Sequence, residues 1–311
     1  MKNEVSDLSS RGPVRTTRTR EPQISIIMGT YNCLETIRPA IDSILSQTFQ
    51  DWELVICDDG SDDGTQNILL EYQRHHPTKF IILQNASNQK LARALNRCLE
   101  ACRGDLVARM DGDDISDPSR LQLQLKYLED NPTVDLVGTA MKRFDKSGGG
   151  DIVTSDPTPD ITTLRFGTPF NHATILTYRR IYAELGGYSQ LKRADRCEDI
   201  DLWFRFFAHG FVGRNLTEPL YYVREDDHAI RRRTIHSRIK LFRTRIAGYE
   251  MLGFPVHWYV YPAIELSKAF VPHHVMGAYR RWQKSHCSRT RNDTHRNSGR
   301  HHREQREVRP R

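Results

Sequence analysis

The sequence predicts an α/β fold, built on a mostly parallel sheet with helices on both faces, plus a helical extension at the C-terminal end. Three observations predict it. Short apolar runs alternate with stretches of helical periodicity from residue 24 onward, the connections are long enough for right-handed crossovers, and several apolar runs end in glycine or aspartate. With 311 residues, 38% of them hydrophobic, the chain can bury one large core or two smaller packed domains.

The first half of the chain shows the strand and helix alternation most clearly. The run from Ile24 to Met28 ends at Gly29 and precedes a segment whose isoleucines recur at helical spacing, including Ile37 and Ile41. Later apolar runs and amphipathic segments repeat this arrangement, and Gly104 marks a helix end. The predicted elements are strands at 24–28, 54–57, 80–83 and 106–110, and helices from 37, from 68 and over 89–103.

The second half is less regular. Asp117 and Pro118 have the pattern of an N-cap followed by proline at the first helical position, which predicts a helix there. From residue 231 to about 284 the chain is mostly helical and basic in pattern, with breaks expected at Pro255, Pro262 and Pro272. The other expected elements are strands over 134–144 and 172–178, a glycine turn at 148–150, and helices over 179–185 and 199–208.

The segment ELVICDDGSDDGT, residues 53–65, concentrates aspartates after an apolar run. A calcium loop of the EF-hand type would place its invariant glycine at Gly64 and its bidentate glutamate at position 70, where the chain has Leu70. The preceding residues also read as a strand rather than a helix, so the calcium interpretation fails. A solvated turn rich in Asp, Gly and Ser is the other interpretation of this stretch by itself.

Polar clusters follow three of the predicted parallel strands. They begin at Gly29, Asp58 and Asp111, and in an open α/β sheet such strand ends meet at one edge, where ligands bind. Two hard oxygen ligands close together, as in Asp111-Gly112-Asp113, suit Mg²⁺ or Mn²⁺. The glycine-rich phosphate loops of dehydrogenases and P-loop proteins are absent, and the six cysteines have no spacing suited to zinc. The sequence therefore predicts a carboxylate-based site.

Four ordered motifs carry a family resemblance: ISIIMGTYN, ELVICDDGSDDGT, NQKLARALNRCLEACRGDLVARMDGDD and CEDIDLWFRF. In this order and spacing the chain resembles family 2 glycosyltransferases of the Rossmann-like GT-A fold, over roughly residues 24 to 225. The resemblance implies an inverting, metal-assisted transfer of a sugar from a nucleoside diphosphate, UDP above all, to an acceptor hydroxyl in surface or capsular polysaccharide synthesis. Many members have glycine where this chain has Lys90.

The resemblance also implies roles for individual residues. Tyr31 stacks on the nucleotide base, Asp59 accepts a hydrogen bond from the imide N–H of uracil or thymine, and Asp111 binds the ribose side. Asp113 binds the metal ion, Mn²⁺ or Mg²⁺, that bridges the diphosphate, and Asp199 is the general base.

Three further residues have weaker parallels in the family. Glu198 precedes the expected base, so it is placed in the active-site vicinity. His172 lies where the family often has a histidine near the active site, although a core histidine is the alternative. His228 resembles a third metal ligand that some members supply from the C-terminal side.

These implications divide the chain into five parts. We expect a basic disordered N-terminus over 1–22, a nucleotide-sugar-binding half over 23–115 and an acceptor-binding half over 116–230. A helical basic extension over 231–284 and a disordered basic tail over 285–311 complete the chain.

The net charge of +7 comes largely from the two ends. Such ends are expected either to be solvated and disordered or to lie against anionic lipid. The expected partners are thus a nucleotide-sugar donor, a saccharide or lipid-linked saccharide acceptor and an anionic membrane surface, with no nucleic acid. No apolar run has the length of a membrane span and the N-terminus lacks the apolar region of a secretory signal, so we expect a cytoplasmic protein that can bind peripherally at the inner face of the membrane.

Rival functions from other classes make different demands on the sequence. A sugar-1-phosphate nucleotidyltransferase would carry a basic, glycine-rich signature after the first strand, where the chain has Gly29-Thr30-Tyr31-Asn32. A phosphatase with an aspartate nucleophile would place its Asp-x-Asp motif after the first strand rather than the fourth. A non-catalytic binder of nucleic acid or membrane surfaces would account for the basic ends alone, and its binding to nucleic acid would weaken steeply with salt.

Overall fold

The computed structural model describes residues 21–144, 149–224 and 234–267. These residues belong to two compact units, one up to residue 226 and one from residue 227. His228, Pro272 and most of the basic ends lie outside the described residues.

The first unit contains one nine-stranded sheet in the order β3-β2-β1-β4-β8-β6-β9-β5, with β7 paired to β6. Its β3-β2-β1-β4 half is parallel, as the sequence predicts, whereas the other half is mixed because β8, β7 and β5 run antiparallel to their neighbours. The strands are β1 (Ile24–Thr30), β2 (Trp52–Asp58), β3 (Phe80–Gln84), β4 (Leu106–Arg109), β5 (Ile115–Ser116), β6 (Leu136–Phe144), β7 (Ile152–Val153), β8 (Leu176–Tyr178) and β9 (Gly213–Arg224).

Six α-helices connect these strands in the described part of the first unit. They are α1 (Ile37–Leu45), α2 (Thr65–His75), α3 (Leu91–Ala101), α4 (Arg120–Asp130), α5 (Arg179–Leu185) and α6 (Glu198–Ala208). The central strands β1 and β2 are buried along almost their whole length, which fits a parallel sheet covered on both faces. Close approach of α3 to β1 requires Gly29, because a Cβ there would lie 2.8 Å from Leu91 Cδ1.

Two sequence expectations about local structure in the first unit are wrong. The helix expected at Asp117-Pro118 begins at Arg120 instead, because the Asp117 carboxylate accepts bonds from the backbone N–H and hydroxyl of Ser119 and so closes a turn before the helix. Residues His172–Thr174, expected in a strand, form a 3-10 turn, and the strand proper begins at Leu176.

Strand β9 has no counterpart among the expected elements. Pro219 lies within it, and proline cannot donate to a sheet ladder. The pairing with β6 shifts register at this place, since Leu216 faces Thr139 and Pro219 faces the next residue, Ala140. The strand therefore contains an irregularity that hides its two-residue periodicity in the sequence.

The second unit, as far as it is described, consists of α7 (Ile235–Leu252), a 3-10 turn (Val256–Tyr259) and α8 (Val260–Ser267). Helix α7 ends at Gly253 in the left-handed conformation, just before Pro255, as expected. Pro262 does not interrupt a helix, contrary to expectation. It lies in the first turn of α8, where its missing N–H costs no helical hydrogen bond. Within the described residues, no helix is long and apolar enough to cross a membrane.

Candidate active site

The three polar clusters that follow β1, β2 and β4 lie at one edge of the sheet. Strand β1 is the middle strand, with Thr30 in register with Asp58 of β2 and Ile27 in register with Arg109 of β4. Because all three strands are parallel, the residues after them emerge on the same side. The structure thus brings together segments whose first residues, Gly29, Asp58 and Asp111, are separated by 29 and 53 positions in the sequence.

Asp111, Asp113 and Asp114 form a carboxylate cluster just after β4. One oxygen atom from each lies within 4.8 Å of the others. Gly112 makes this tight turn compatible with packing, since a Cβ there would be 3.0 Å from Thr30 Cγ2. Three hard oxygen donors so close together fit Mg²⁺ or Mn²⁺. Asp114 was not among the ligands expected from the sequence.

Asp114 is buried, and β9 holds it in place. Its Oδ1 accepts the Arg224 backbone N–H at 2.8 Å. Burial, followed by the neighbouring charges of Asp111 and Asp113, raises the pKa of Asp114 above its ordinary value. The Tyr221 hydroxyl, also from β9, accepts the Asp111 backbone N–H at 3.0 Å. A bound cation would relieve the repulsion among these carboxylates, which supports the fit of a metal ion.

Arg109 is a buried cation beside the cluster. Its Nη1 lies 2.5 Å from Asp111 Oδ2, and its side chain is 3% exposed. Burial alone would lower the pKa of Arg109, but the Asp111 carboxylate raises it, so the guanidinium stays charged. The Arg109 charge also acts on two other groups: it opposes the increase that burial causes in the pKa of Glu198 on α6, and it adds to the decrease that burial causes in the pKa of His172. Arg109 thus links the carboxylate cluster electrostatically to the helix that carries the expected base.

The expected base-binding residues lie after β1 and β2. Tyr31 is 47% exposed, so its ring is available for stacking. Asp59 is almost fully buried and accepts three hydrogen bonds from one loop: Oδ1 from Asn85 Nδ2 and the Gln89 N–H, and Oδ2 from the Lys90 N–H. Each carboxylate oxygen accepts about two hydrogen bonds, so Oδ2 retains a lone pair for a ligand donor.

The other aspartates of the 53–65 segment have structural roles. Asp63 accepts the Thr65 N–H at the start of α2 and the Leu34 N–H, and its bonds to Thr65 hold its pKa below the ordinary value despite the opposing effect of burial. Asp58 accepts the Ser61 hydroxyl within the turn. Both carboxylates therefore stabilise the turn between β2 and α2.

Glu198 and Asp199 lie in the first turn of α6, which also contains Asp201. Burial first, and then the Asp199 charge, raise the pKa of Glu198 to about 7. The Asp201 carboxylate forms ion pairs with Arg193 Nη1 at 2.7 Å and with Arg205 Nε at 2.8 Å, so its role is structural. The N-terminal end of a helix stabilises nearby negative charge, which suits a carboxylate that must be ionised to take up a proton.

Arg205 fixes the loop that approaches this helix. It donates to the carbonyl oxygens of Leu185 and Gly187, and Asn96 of α3 bonds both the N–H and the carbonyl of Tyr188. The Tyr188 hydroxyl in turn lies 2.8 Å from His172 Nε2. Burial lowers the pKa of His172 well below its ordinary value, so the ring is neutral at physiological pH. His172 is therefore packed beneath the site as part of a hydrogen-bonded network.

Sequence reasoning missed Arg109, Asp114, Tyr221 and Arg224. Asp114 belongs to the DGDD motif and could have been read from its position. The other three could not, because only the pairing of β9 and the end of β4 at the same edge shows that they meet the carboxylates. His228 lies outside the described residues.

The edge of the parallel sheet thus presents an exposed aromatic ring, a buried aspartate and a carboxylate cluster, a set of groups that is chemically suited to a nucleotide with a phosphate-bearing tail. The comparisons identify the class. A family model described as glycosyl transferase family 2 matches residues 25–186, and the chain belongs to that family. It is an enzyme of the glycosyltransferase class with the GT-A fold.

Two relatives illustrate the match. A putative glycosyltransferase of Bacillus subtilis, EpsE, is 44% identical over 260 residues, which cover 83% of this chain and 93% of the relative. An Escherichia coli protein named as a UDP-Glc:α-D-GlcNAc-diphosphoundecaprenol β-1,3-glucosyltransferase is 36% identical over 108 residues, which cover 35% of this chain and 42% of that protein.

Solved structures agree in fold. TarS of S. aureus, residues 1–349 in complex with UDP-GlcNAc, has a TM-score of 0.61 at 18% identity. The match covers 80% of this chain and 71% of the TarS chain. The mannosyltransferase PcManGT of Pyrobaculum calidifontis, in complex with GDP-Man and Mn²⁺, has a TM-score of 0.57 at 23% identity, with coverages of 81% and 74%. At these identities the likeness shows the fold.

Proposed function

We propose that this glycosyltransferase is inverting and metal-assisted, and that it moves one sugar from a UDP-sugar to a saccharide hydroxyl during synthesis of a surface polysaccharide. The observation that carries the proposal is the Asp111, Asp113 and Asp114 cluster, with Arg109 joining it electrostatically to the first turn of α6. Donor-side and acceptor-side groups therefore belong to one site. The UDP-GlcNAc complex of TarS and the named donor of the E. coli relative support uracil as the base.

Asp113 and Asp114, with the free oxygen of Asp111, would hold Mn²⁺ or Mg²⁺. When bound, such an ion stabilises the negative charge that develops on the leaving diphosphate. The Mn²⁺ in the PcManGT complex supports this assignment. On the protein side, Arg109 orients Asp111 through its ion pair, and Tyr221 fixes the backbone of the turn. Tyr31 and Asp59 would orient the base.

Asp199 would be the general base. An acceptor hydroxyl is a weak nucleophile, and a carboxylate within reach takes its proton as the new C–O bond forms at the anomeric carbon. The departing diphosphate leaves from the opposite face, so one displacement inverts the configuration and no covalent intermediate is required. Glu198, beside it, would be protonated in part at neutral pH because its pKa is raised to about 7.

Calorimetric titration with UDP, dTDP and GDP, each with and without Mn²⁺, tests the proposal. We expect Mn²⁺-dependent binding of a pyrimidine diphosphate by the native protein and loss of the Mn²⁺ dependence in Asp113→Asn. The matched control is Asp130→Asn, a change to an exposed carboxylate that pairs with Lys126 on α4. Absence of binding to all three nucleotides would overturn the proposed function.

A lipid-linked acceptor at an anionic membrane surface is the second part of the proposal. Val256, Val260 and Ile264 recur every four residues in the second unit and are 85%, 49% and 50% exposed. The chain that follows, residues 268–311, contains twelve Lys and Arg against three Asp and Glu. Exposed apolar side chains next to concentrated positive charge suit an anionic lipid surface. The diphosphoundecaprenol acceptor named for the E. coli relative supports this reading.

A further inference from the structure

Lys90 has a backbone conformation that lysine rarely adopts. Its φ is +80° and its ψ is 158°, a combination occupied almost only by glycine because a Cβ is strained there. Strain of this kind persists where the surrounding structure enforces it, and it concentrates at functional positions. The conformation therefore raises the question of what the lysine side chain contributes.

The backbone of Lys90 is held by Asp59. The Lys90 N–H donates to Asp59 Oδ2 at 2.8 Å, and the preceding Gln89 N–H donates to Oδ1 at 2.8 Å. Glycine at position 90 would make the same bond without strain, since only the backbone takes part. What lysine adds is its ammonium group.

That ammonium has no structural role within the described part of the chain. Lys90 is exposed, and no hydrogen bond or ion pair of its side chain is found among the described residues. Nearby cations are used differently: Arg97 on α3 donates to the Gln84 carbonyl and to Asn85. The Lys90 ammonium is therefore available to a ligand.

The location of Lys90 indicates which part of a ligand it meets. Asp59 follows β2, whereas the carboxylate cluster follows β4, and β1 lies between these two strands. With neighbouring strands about 4.8 Å apart, the two ends of the site are separated by roughly 10 Å. Lys90 is bonded directly to Asp59, so it lies at the base end of the site and away from the diphosphate end.

We propose that Lys90 is a specificity-determining residue whose ammonium donates to the base carbonyl next to the imide N–H that Asp59 accepts. This inference rests on the proposed function, and in particular on Asp59 as the base-side group. Together the two side chains present an acceptor and a donor, the complement of the N–H and C=O that adjoin each other in uracil and thymine. Cytosine lacks the N–H and is the poorer match.

Variants of Lys90 separate the ammonium from the strain. Lys90→Ala removes the ammonium and keeps the Cβ, Lys90→Gly removes both the ammonium and the strain, and Lys90→Arg keeps a cation. We expect about tenfold weaker binding in Lys90→Ala and Lys90→Gly, by the same factor for UMP and for UDP, with a smaller UDP-over-CDP preference. Lys90→Arg should retain most of the affinity, and only Lys90→Gly should have a higher melting temperature than the native protein.

The outcomes are distinguishable by calorimetry and thermal denaturation. Equal losses for UMP and UDP support the proposal. Unchanged affinity in Lys90→Ala overturns it, and so does a loss confined to UDP, because that would place the ammonium at the diphosphate. If the native protein binds no nucleotide, the proposed function itself fails. If the native protein binds nucleotide and the Lys90 variants bind it with the same affinity, only the inference about Lys90 fails.

Discussion

At the scale of single residues, the site depends on charges that are balanced inside the protein. Arg109 neutralises Asp111, while the buried Asp114 and the half-buried Glu198 lie beside further carboxylates and have raised pKa values. Each of these groups has a neighbour that changes its protonation or its position. Substitutions that keep the shape and change only the charge are therefore the informative ones.

Asp199→Asn tests the base. We expect kcat to fall by about 10²–10⁴, because the acceptor proton has no carboxylate to receive it, while UDP affinity stays unchanged. Glycosyl transfer and calorimetric UDP binding are the two measurements. Asp195→Asn, which also neutralises an acidic residue before α6, is the control. Full activity of Asp199→Asn would assign the base to another residue.

Glu198→Gln tests the electrostatics of α6. The ordinary pKa of glutamate is 4.5 and that of Glu198 is about 7, so between these pH values the folded state binds more protons than the unfolded state. Stability contributed by this group is therefore present below pH 4.5 and is lost as the pH rises to about 7.

Glutamine does not titrate, so the melting temperature of Glu198→Gln should rise relative to the native protein between pH 5 and pH 7.5. Differential scanning calorimetry at several pH values measures this. A temperature difference independent of pH would show that Glu198 is not perturbed.

Arg109→Met removes the internal cation. Breaking a buried pair from one side typically costs about 3–5 kcal/mol, because the remaining carboxylate is left uncompensated. We expect a lower melting temperature, and a larger increase on addition of Mn²⁺ than in the native protein, since the ion would supply the missing positive charge. Thermal denaturation with and without Mn²⁺ measures both effects. Equal Mn²⁺ effects in the two proteins would contradict this role.

At the scale of elements, α3 connects the two sides of the site. Its N-terminal end adjoins the loop that bonds Asp59, and Asn96 in its middle bonds both backbone groups of Tyr188. Strand β9 supports the side of the site that holds the carboxylate cluster, because the Arg224 backbone N–H donates to Asp114. Mispositioning one of these elements should therefore affect one side of the site more than the other.

Asn96→Ala tests the connection made by α3. Two hydrogen bonds to the Tyr188 backbone are lost, so we expect destabilisation of about 1–3 kcal/mol. The loop that contains Gly187 should loosen, which raises KM for the acceptor and leaves UDP affinity unchanged. Urea denaturation and steady-state kinetics with varied acceptor measure the two effects. A parallel loss of UDP affinity would show that α3 itself has moved.

At the scale of the whole molecule, we propose that the basic end and the exposed apolar side chains of the second unit bind a lipid surface and take no part in the chemistry. Removing residues 268–311 should leave UDP binding unchanged and weaken binding to vesicles that contain anionic lipid, because twelve Lys and Arg are removed. Vesicle co-sedimentation at low and high salt measures this. Val256→Asp should weaken vesicle binding in the full chain, and unchanged sedimentation in both variants would exclude the membrane role.

The sequence by itself determined the parallel half of the sheet, the convergence of the aspartates and the family, because strand and helix periodicities and ordered motifs are local signals. It did not reveal β9, whose periodicity is interrupted at Pro219. Only the tertiary structure showed that Arg109 is buried beside Asp111, that Arg224 of β9 bonds Asp114 and that Lys90 is strained. Burial and backbone conformation at these places depend on packing against segments distant in sequence, so no local pattern encodes them.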